Sequence, residues 1–302
     1  MNSAGADLRV EQTPASAGFR YGYRRAWRVI ACALALACFG LGGGLFGLFA
    51  PPYLFLRVRD PVRRQWHARR AIGGLMRLFV WLTHGLGLID VRIHGRDWLQ
   101  VRGAVIAPNH PTLIDVVLLL AHAPQLDCVI KGALLRNPFT RGAVRAAGYI
   151  ANAEGPQLVE RCAAALRAGS SVLIFPEGTR SVPGERPRLR RGACTIAMRG
   201  EGQLVPVLVR CTPPALSKQH RWYDLPAGPL QIDIDVHPPW QMRSYLHEAA
   251  RDEADGSGRE GLPEVADTRM RAIREMTRAL DAFYAEGLGF DVTTGASPLP
   301  SP

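Results

Sequence analysis

Apolar positions fall into two regimes along the chain. Residues 29–56 form an uninterrupted run of 28 residues without a charge. As one helix it would be about 42 Å long, more than the roughly 30 Å hydrocarbon core of a bilayer requires. Residues 71–89 carry a second, weaker apolar segment broken by Arg77 and His84. It reads either as an amphipathic helix on a membrane surface or as a helix packed on a core. From residue 90 the pattern changes to short β-rich runs at 90–94, 104–107, 127–130, 171–175, 204–209 and 230–236. Helical spacing separates them at 112–120 and 157–168, the latter placing Leu158, Cys162, Ala165 and Leu166 on one face. Strands alternating with helices predict an α/β domain with a mixed, largely parallel sheet flanked by helices.

The expected organisation follows from these periods. Residues 1–20 are a polar disordered tail, and 21–89 a membrane-anchoring helical region. Residues 90–250 are the α/β domain, and 251–266 a polar, Gly-containing loop. Residues 267–290 form a last helix with Met270, Ile273, Leu280 and Phe283 on one face, and 291–302 a second disordered tail.

Composition sharpens the picture. Hydrophobic residues make up 47% of the 302 and charged residues 21%, which excludes wholesale disorder. A mean hydropathy of -0.01 excludes a polytopic membrane protein. The formal charge is +11, a balance that favours an anionic partner. Eleven arginines against three acids lie within residues 1–70, so +8 of that charge brackets the apolar run. A nucleic-acid-binding protein would instead gather charge and aromatics on the folded domain. A cleaved signal peptide has a shorter apolar region than this one. With arginines on both flanks and Gly42, Gly43, Gly44, Pro51 and Pro52 inside it, the run reads as a single tilted span or a re-entrant hairpin. Those glycines also match G-x-G-x-x-G. No strand precedes them, so the match carries no nucleotide; as small residues four apart they suit helix packing instead. The six cysteines have neither disulfide-framework nor zinc spacing and read as small buried hydrophobes in a reducing compartment.

Chemistry concentrates in three blocks. Residues 108–115 read Pro-Asn-His-Pro-Thr-Leu-Ile-Asp, with His110 just past a predicted strand and Asp115 at the first turn of a predicted helix. A turn at Pro111 can fold the carboxylate back onto the imidazole, which would fix the tautomer and leave the other ring nitrogen as a base. Residues 175–181 read Phe-Pro-Glu-Gly-Thr-Arg-Ser directly after another strand. Gly178 and Thr179 let backbone donors approach a ligand, and Arg180 offers a planar fork for a phosphate or carboxylate. The third block is a strand with Pro206 near its start, Val205-Pro206-Val207.

Together these blocks resemble the glycerolipid and lysophospholipid acyltransferase family, which includes 1-acyl-sn-glycerol-3-phosphate acyltransferases. Its N-H-x-x-x-x-D block is matched by Asn109, His110 and Asp115, and its F-P-E-G-T-R-S block by Phe175, Pro176, Glu177, Gly178, Thr179, Arg180 and Ser181. Its V-P-V strand is matched around Pro206, and the stretch around Lys131 is also similar. The resemblance covers roughly residues 90–240. It implies acyl transfer from acyl-CoA or acyl carrier protein to the hydroxyl of a lyso-lipid, with His110 and Asp115 as the base and its partner and no acyl-enzyme. Glu177, Gly178, Thr179 and Arg180, with Lys131, would hold the acceptor. No metal or bound cofactor is implied, and no nucleic acid. The expected location is the inner (plasma) membrane with the catalytic domain on its cytoplasmic face. One block departs: where phosphate-acceptor members carry arginine, this chain has Glu154, and Ala151 replaces the aromatic. Acylation of a non-phosphate acceptor is therefore the alternative, and a non-catalytic membrane-binding protein the other.

Overall fold

A computed structural model describes residues 15–152, 156–256 and 265–291. Glu154 and the tails at 1–14 and 292–302 lie outside the described residues.

The apolar run is one unbroken helix, α1 (Ala15–Arg57), with Pro51 and Pro52 inside it and no hairpin at the glycines. Residues 15–20, expected in the disordered tail, are its first turns. Proline at 51 removes the helical donor to the Gly47 carbonyl. That carbonyl faces Gly142, where an added Cβ would come within 2.3 Å of it. Gly43 and Gly44 lie against Phe139. The glycines thus let the backbones of α1 and a later helix touch.

Asp60 caps the next helix, α2 (Pro61–Gly85), accepting from the amides of Val62 and Arg63 at 3.2 Å each. Ala68, Ile72, Gly73, Phe79 and Thr83 are buried along it. The segment at 71–89 is therefore chiefly a core-packing helix, with Leu78 and Trp81 exposed on its other side.

The α/β body follows as β1 (Ile89–His94), β2 (Ala104–Pro108), α3 (Asp115–His122), β3 (Asp127–Lys131), α4 (Arg141–Ala147), β4 (Ile150–Asn152), α5 (Pro156–Arg167) and β5 (Val172–Leu173). It continues with α6 (Gly192–Arg199), β6 (Gln203–Thr212), β7 (Leu230–Val236), β8 (Trp240–Gln241), α7 (Met242–Gly256) and α8 (Val265–Gly287). Among the described residues these strands form one mixed sheet in the order β1-β7-β6-β2-β5-β3-β4, with β8 also on β6. All pairings are parallel except those of β6 with β7 and β8.

Side chains alternate across a strand, and both faces are covered. Ile106 and Val205, Val207 and Val209 point to the side of α1, α2 and α3, where they meet Leu118, Leu119 and Phe79. Val105, Ala107, Leu204 and Leu208 point to the side of α5 to α8, where they meet Cys162, Ile196, Met276 and Tyr284. Arg69 of α2 reaches under the sheet, donating to the Ala147 carbonyl at 2.8 Å and pairing with the buried Asp127 of β3.

The expected loop at 251–266 needs correcting. Residues 251–256 complete α7 and residues 265–266 begin α8; only 257–264 between them lie outside the described residues. Met242, Tyr245 and Ala249 bury one face of α7, and the helix runs on through the polar residues that follow. The six cysteines are unpaired, four of them buried and Cys38 exposed.

Candidate active site

The site begins where β2 stops. Asn109 is buried, and its side chain replaces the ladder that its main chain leaves. Its Nδ2 donates to the Val209 carbonyl at 2.9 Å, and its Oδ1 accepts from the Val209 amide at 2.6 Å. The chain therefore turns away from the sheet at a fixed point, with His110 as the next residue.

His110 Nδ1 lies 2.8 Å from Asp115 Oδ2. Asp115 is fully buried at the first residue of α3, where the helix N-terminus favours a carboxylate. It also accepts from the Thr112 amide at 2.8 Å and from the Thr112 hydroxyl. Three donors converge on one carboxylate, and a carboxylate only accepts. Nδ1 therefore carries the hydrogen and Nε2 presents the lone pair. The His110 side chain keeps 17% of its surface exposed.

The block at 175–181 grips the same residue from the other side. Phe175 stacks on the imidazole with ring centres 4.0 Å apart. Glu177 Oε1 accepts from the His110 amide and the Ser181 hydroxyl, each at 2.8 Å. The Ser181 amide donates to the His110 carbonyl at 2.8 Å. Both main-chain groups of His110 are thereby held. Glu177 is only 6% exposed; burial pushes its carboxyl up from the usual range, opposed by its hydrogen bonds from His110 and Ser181. It was expected among residues facing an acceptor, and its Oε1 instead binds protein groups.

Gly178 and Thr179 are exposed beside it. Gly178 has φ +69, and a Cβ there would meet Arg190 Nε at 3.3 Å, so glycine suits both the backbone and the space. Arg180 Nη1 donates to the carbonyls of Leu216 and Ser217 at 2.9 and 3.0 Å. The Leu216 carbonyl also accepts from the Leu113 amide at 3.1 Å, so the 213–217 segment ties both blocks together.

Pro206 pairs with Ala107 at the end of β2. Its carbonyl accepts from the His237 amide at 3.0 Å, in the gap where the partner of β6 changes from β8 to β7. A residue's N–H and C=O point to the same side of a strand, so the donor that proline lacks falls in that gap. Pro176, whose carbonyl accepts from Arg190, completes the loop. Lys131 stands exposed at the end of β3, two strand spacings or roughly 10 Å across the sheet from β2. Neither Thr112 nor the Leu216–Ser217 carbonyls carry a sequence signal. Nor does Tyr284 of α8, whose buried hydroxyl donates to the Ala107 carbonyl beneath the site. A small apolar cleft of about 40 Å³ opens between α1, at Cys32 and Ala35, and the histidine loop, at Leu113 and Ile114.

Comparison with known proteins agrees with this geometry. Residues 90–210 match the Acyltransferase family. The chain is 26% identical over 189 residues to the 1-acyl-sn-glycerol-3-phosphate acyltransferase of Pseudomonas aeruginosa, covering 61% of this chain and 70% of that one. It is 29% identical over 166 residues to a chloroplastic enzyme of the same name from Arabidopsis thaliana, covering 52% of this chain but only 45% of the plant protein. The crystal structure of the 1-acyl-sn-glycerophosphate acyltransferase of Thermotoga maritima superposes with a TM-score of 0.59, at 17% identity, over 91% of this chain and all of the other. That likeness bears on the fold, a mostly parallel sheet flanked by helices. The family match spans the histidine loop, the Phe175–Ser181 block and most of β6, so the region of this chain that resembles an acyltransferase domain holds both blocks of the site described above.

Proposed function

We propose that this protein is a membrane-bound O-acyltransferase. It moves an acyl group from acyl-CoA or acyl carrier protein to the hydroxyl of a lyso-lipid such as 1-acyl-glycerol-3-phosphate. The observation that carries the proposal is the His110–Asp115 pair, 2.8 Å apart and fixed by Thr112, Phe175 and Glu177. His110 Nε2 takes the hydroxyl proton as the acceptor oxygen attacks the thioester carbonyl. Asp115 stabilises the imidazolium. When the tetrahedral intermediate collapses, the carbon–sulfur bond breaks and the imidazolium returns its proton to the leaving thiolate. The reaction needs no acyl-enzyme, because the thioester is already activated.

Acceptor binding falls to the exposed Gly178 and Thr179 and to Arg180, whose carbonyl contacts through Nη1 leave its other guanidinium nitrogens for a phosphate. Lys131 supplies a second charge. Glu177 supports the site through His110 and Ser181. The exposed apolar face of α1 supports a lipid substrate arriving from a membrane, with the catalytic domain on the cytoplasmic face of the inner membrane. A non-phosphate acceptor is favoured by one observation, the acid Glu154 where phosphate-acceptor relatives carry arginine.

The test is a donor-by-acceptor assay of the full-length protein in membranes, offering lysophosphatidic acid and a lyso-aminolipid in parallel. Transfer to lysophosphatidic acid, reduced by about 10²–10⁴-fold in His110→Ala, is the expected result. More than a tenth of wild-type activity in His110→Ala would overturn the role of His110. Transfer to the lyso-aminolipid alone would replace the phosphate acceptor.

A further inference from the structure

A second cavity, of about 530 Å³, lies between the C-terminal half of α2, the end of α3 and the edge strand β1. Its volume is that of a small-molecule site. It shares no lining residue with the histidine loop. Its floor at Ala121 and His122 sits at the far end of α3 from Asp115, about 10 Å along the helix axis. None of the acyl-transfer chemistry above uses it.

The lining mixes cationic and apolar side chains. Arg77, Arg96, His84 and His122 line it, and no carboxylate does. Three of these side chains are already tethered through one nitrogen. Arg77 Nη1 donates to the Ala121 carbonyl at 3.1 Å, His84 Nδ1 to that of Ile89 at 3.2 Å, and His122 Nδ1 to that of Leu118 at 2.8 Å. Each keeps further nitrogens for a ligand. Among the described residues neither Arg77 nor Arg96 forms an ion pair. Two exposed guanidinium groups without a counter-charge, one of them held by the Ala121 carbonyl, suit a phosphate, which accepts several charge-assisted hydrogen bonds. Val91 and Ile93 also line it, as does Trp81, 69% of whose surface is exposed. Leu78, one helical turn away on α2, is also exposed. Free phosphate has no use for these apolar residues.

We infer that this cavity binds the phosphate headgroup of an anionic membrane lipid, at a site separate from the catalytic one. Arg77 and Arg96 contact the phosphate, and Trp81, Val91 and Ile93 contact the first carbons of the chains. The inference does not depend on which acceptor the enzyme acylates.

The probes are dihexanoyl phosphatidylglycerol, inorganic phosphate and dihexanoylglycerol, each titrated into the full-length protein in an uncharged detergent. Native mass spectrometry counts bound molecules. Phosphatidylglycerol should bind, and bind more tightly than either of the others. Its affinity should fall by about tenfold or more in Arg77→Gln/Arg96→Gln, since each replaced contact is a hydrogen bond to a charged group. It should survive largely in Arg77→Lys/Arg96→Lys, which keeps the charge, and in His110→Ala. Unchanged affinity in the glutamine pair overturns the site. Inorganic phosphate binding as tightly as the lipid overturns the lipid assignment, and so does equal binding of dihexanoylglycerol. A second measurement is independent of the arginine variants. Phosphatidylglycerol brominated on its acyl chains should quench tryptophan emission, and Trp81→Phe should remove that component. Undiminished quenching in Trp81→Phe would equally overturn it.

Discussion

In the proposed reaction His110 depends on Asp115, which holds its ring, and on Glu177, which holds its main chain. Asp115→Asn removes the acceptor-only partner, and the new amide can donate to Nδ1 and leave the proton on Nε2. We expect kcat to fall by about 10⁴-fold, as when the same change fixes the wrong tautomer in catalytic triads, with the melting temperature little changed. Retention of near-wild-type kcat would show that Asp115 only caps α3. Glu177 gives a different readout, because burial raises its folded pKa. A carboxyl raised on folding stabilises fully below its unfolded pKa of about 4.3, and that contribution is lost as pH rises through the folded value. Glutamine can keep the Oε1 acceptor for the His110 amide and the Ser181 hydroxyl while losing the titration. Relative to wild type, Glu177→Gln should therefore gain stability as pH rises from 4 to 8. Thermal melts of both proteins across that range check it; a constant difference would mean that Glu177 does not titrate anomalously. The two blocks were legible in sequence because each is contiguous and sits at a strand end. What positions them was not: Arg180 meets Leu216 and Ser217, and Tyr284 reaches Ala107 across 177 positions. No local period encodes such contacts.

Between elements, the buried Arg69–Asp127 pair joins α2 to β3, and Arg69 also reaches the end of α4. Removing one partner strands a charge inside the protein, which typically costs about 3–5 kcal/mol. Arg69→Met should lose about that much in denaturant unfolding, whereas Arg63→Met, at an exposed pair beside the α2 cap, should lose little. Equal effects would show that the buried pair is no special anchor. The longer strands β1, β2, β3, β6 and β7 were readable because their apolar runs are continuous or alternate. β4 and β8, of three and two residues, are too short to show a period. α4 and α6 run seven and eight residues, and their small residues and arginines leave no apolar stripe like that of the equally short, Val- and Leu-rich α3. They are helices because tertiary packing holds them, α4 against Gly47 of α1 and α6 beneath the sheet.

At the scale of the whole molecule, α1 belongs to two environments at once. Leu41, Leu45, Leu48, Phe49, Phe55 and Leu56 are exposed, an apolar surface of the kind that marks a membrane contact. Toward its N-terminal half, Ala31, Cys32 and Ala35 are buried in the sheet's core, and Arg28 donates to the carbonyls of Gly87 and Leu88. The helix is therefore no detachable anchor. Deleting residues 1–56 should leave Phe79, Leu88 and Ile89 uncovered, giving a destabilised, aggregating protein. Leu45→Asp/Leu48→Asp tests attachment alone. An aspartate near the centre of a membrane helix costs about 2.5–3.5 kcal/mol, and neither position lies in the core. The double variant should shift from the membrane fraction toward the soluble one, with its melting temperature and detergent-solubilised activity kept. High salt should not release the wild-type protein, because apolar insertion is not screened as surface charge pairing is. Release of the wild type by salt alone would mean that the arginines flanking α1, and not its apolar face, hold the protein at the membrane.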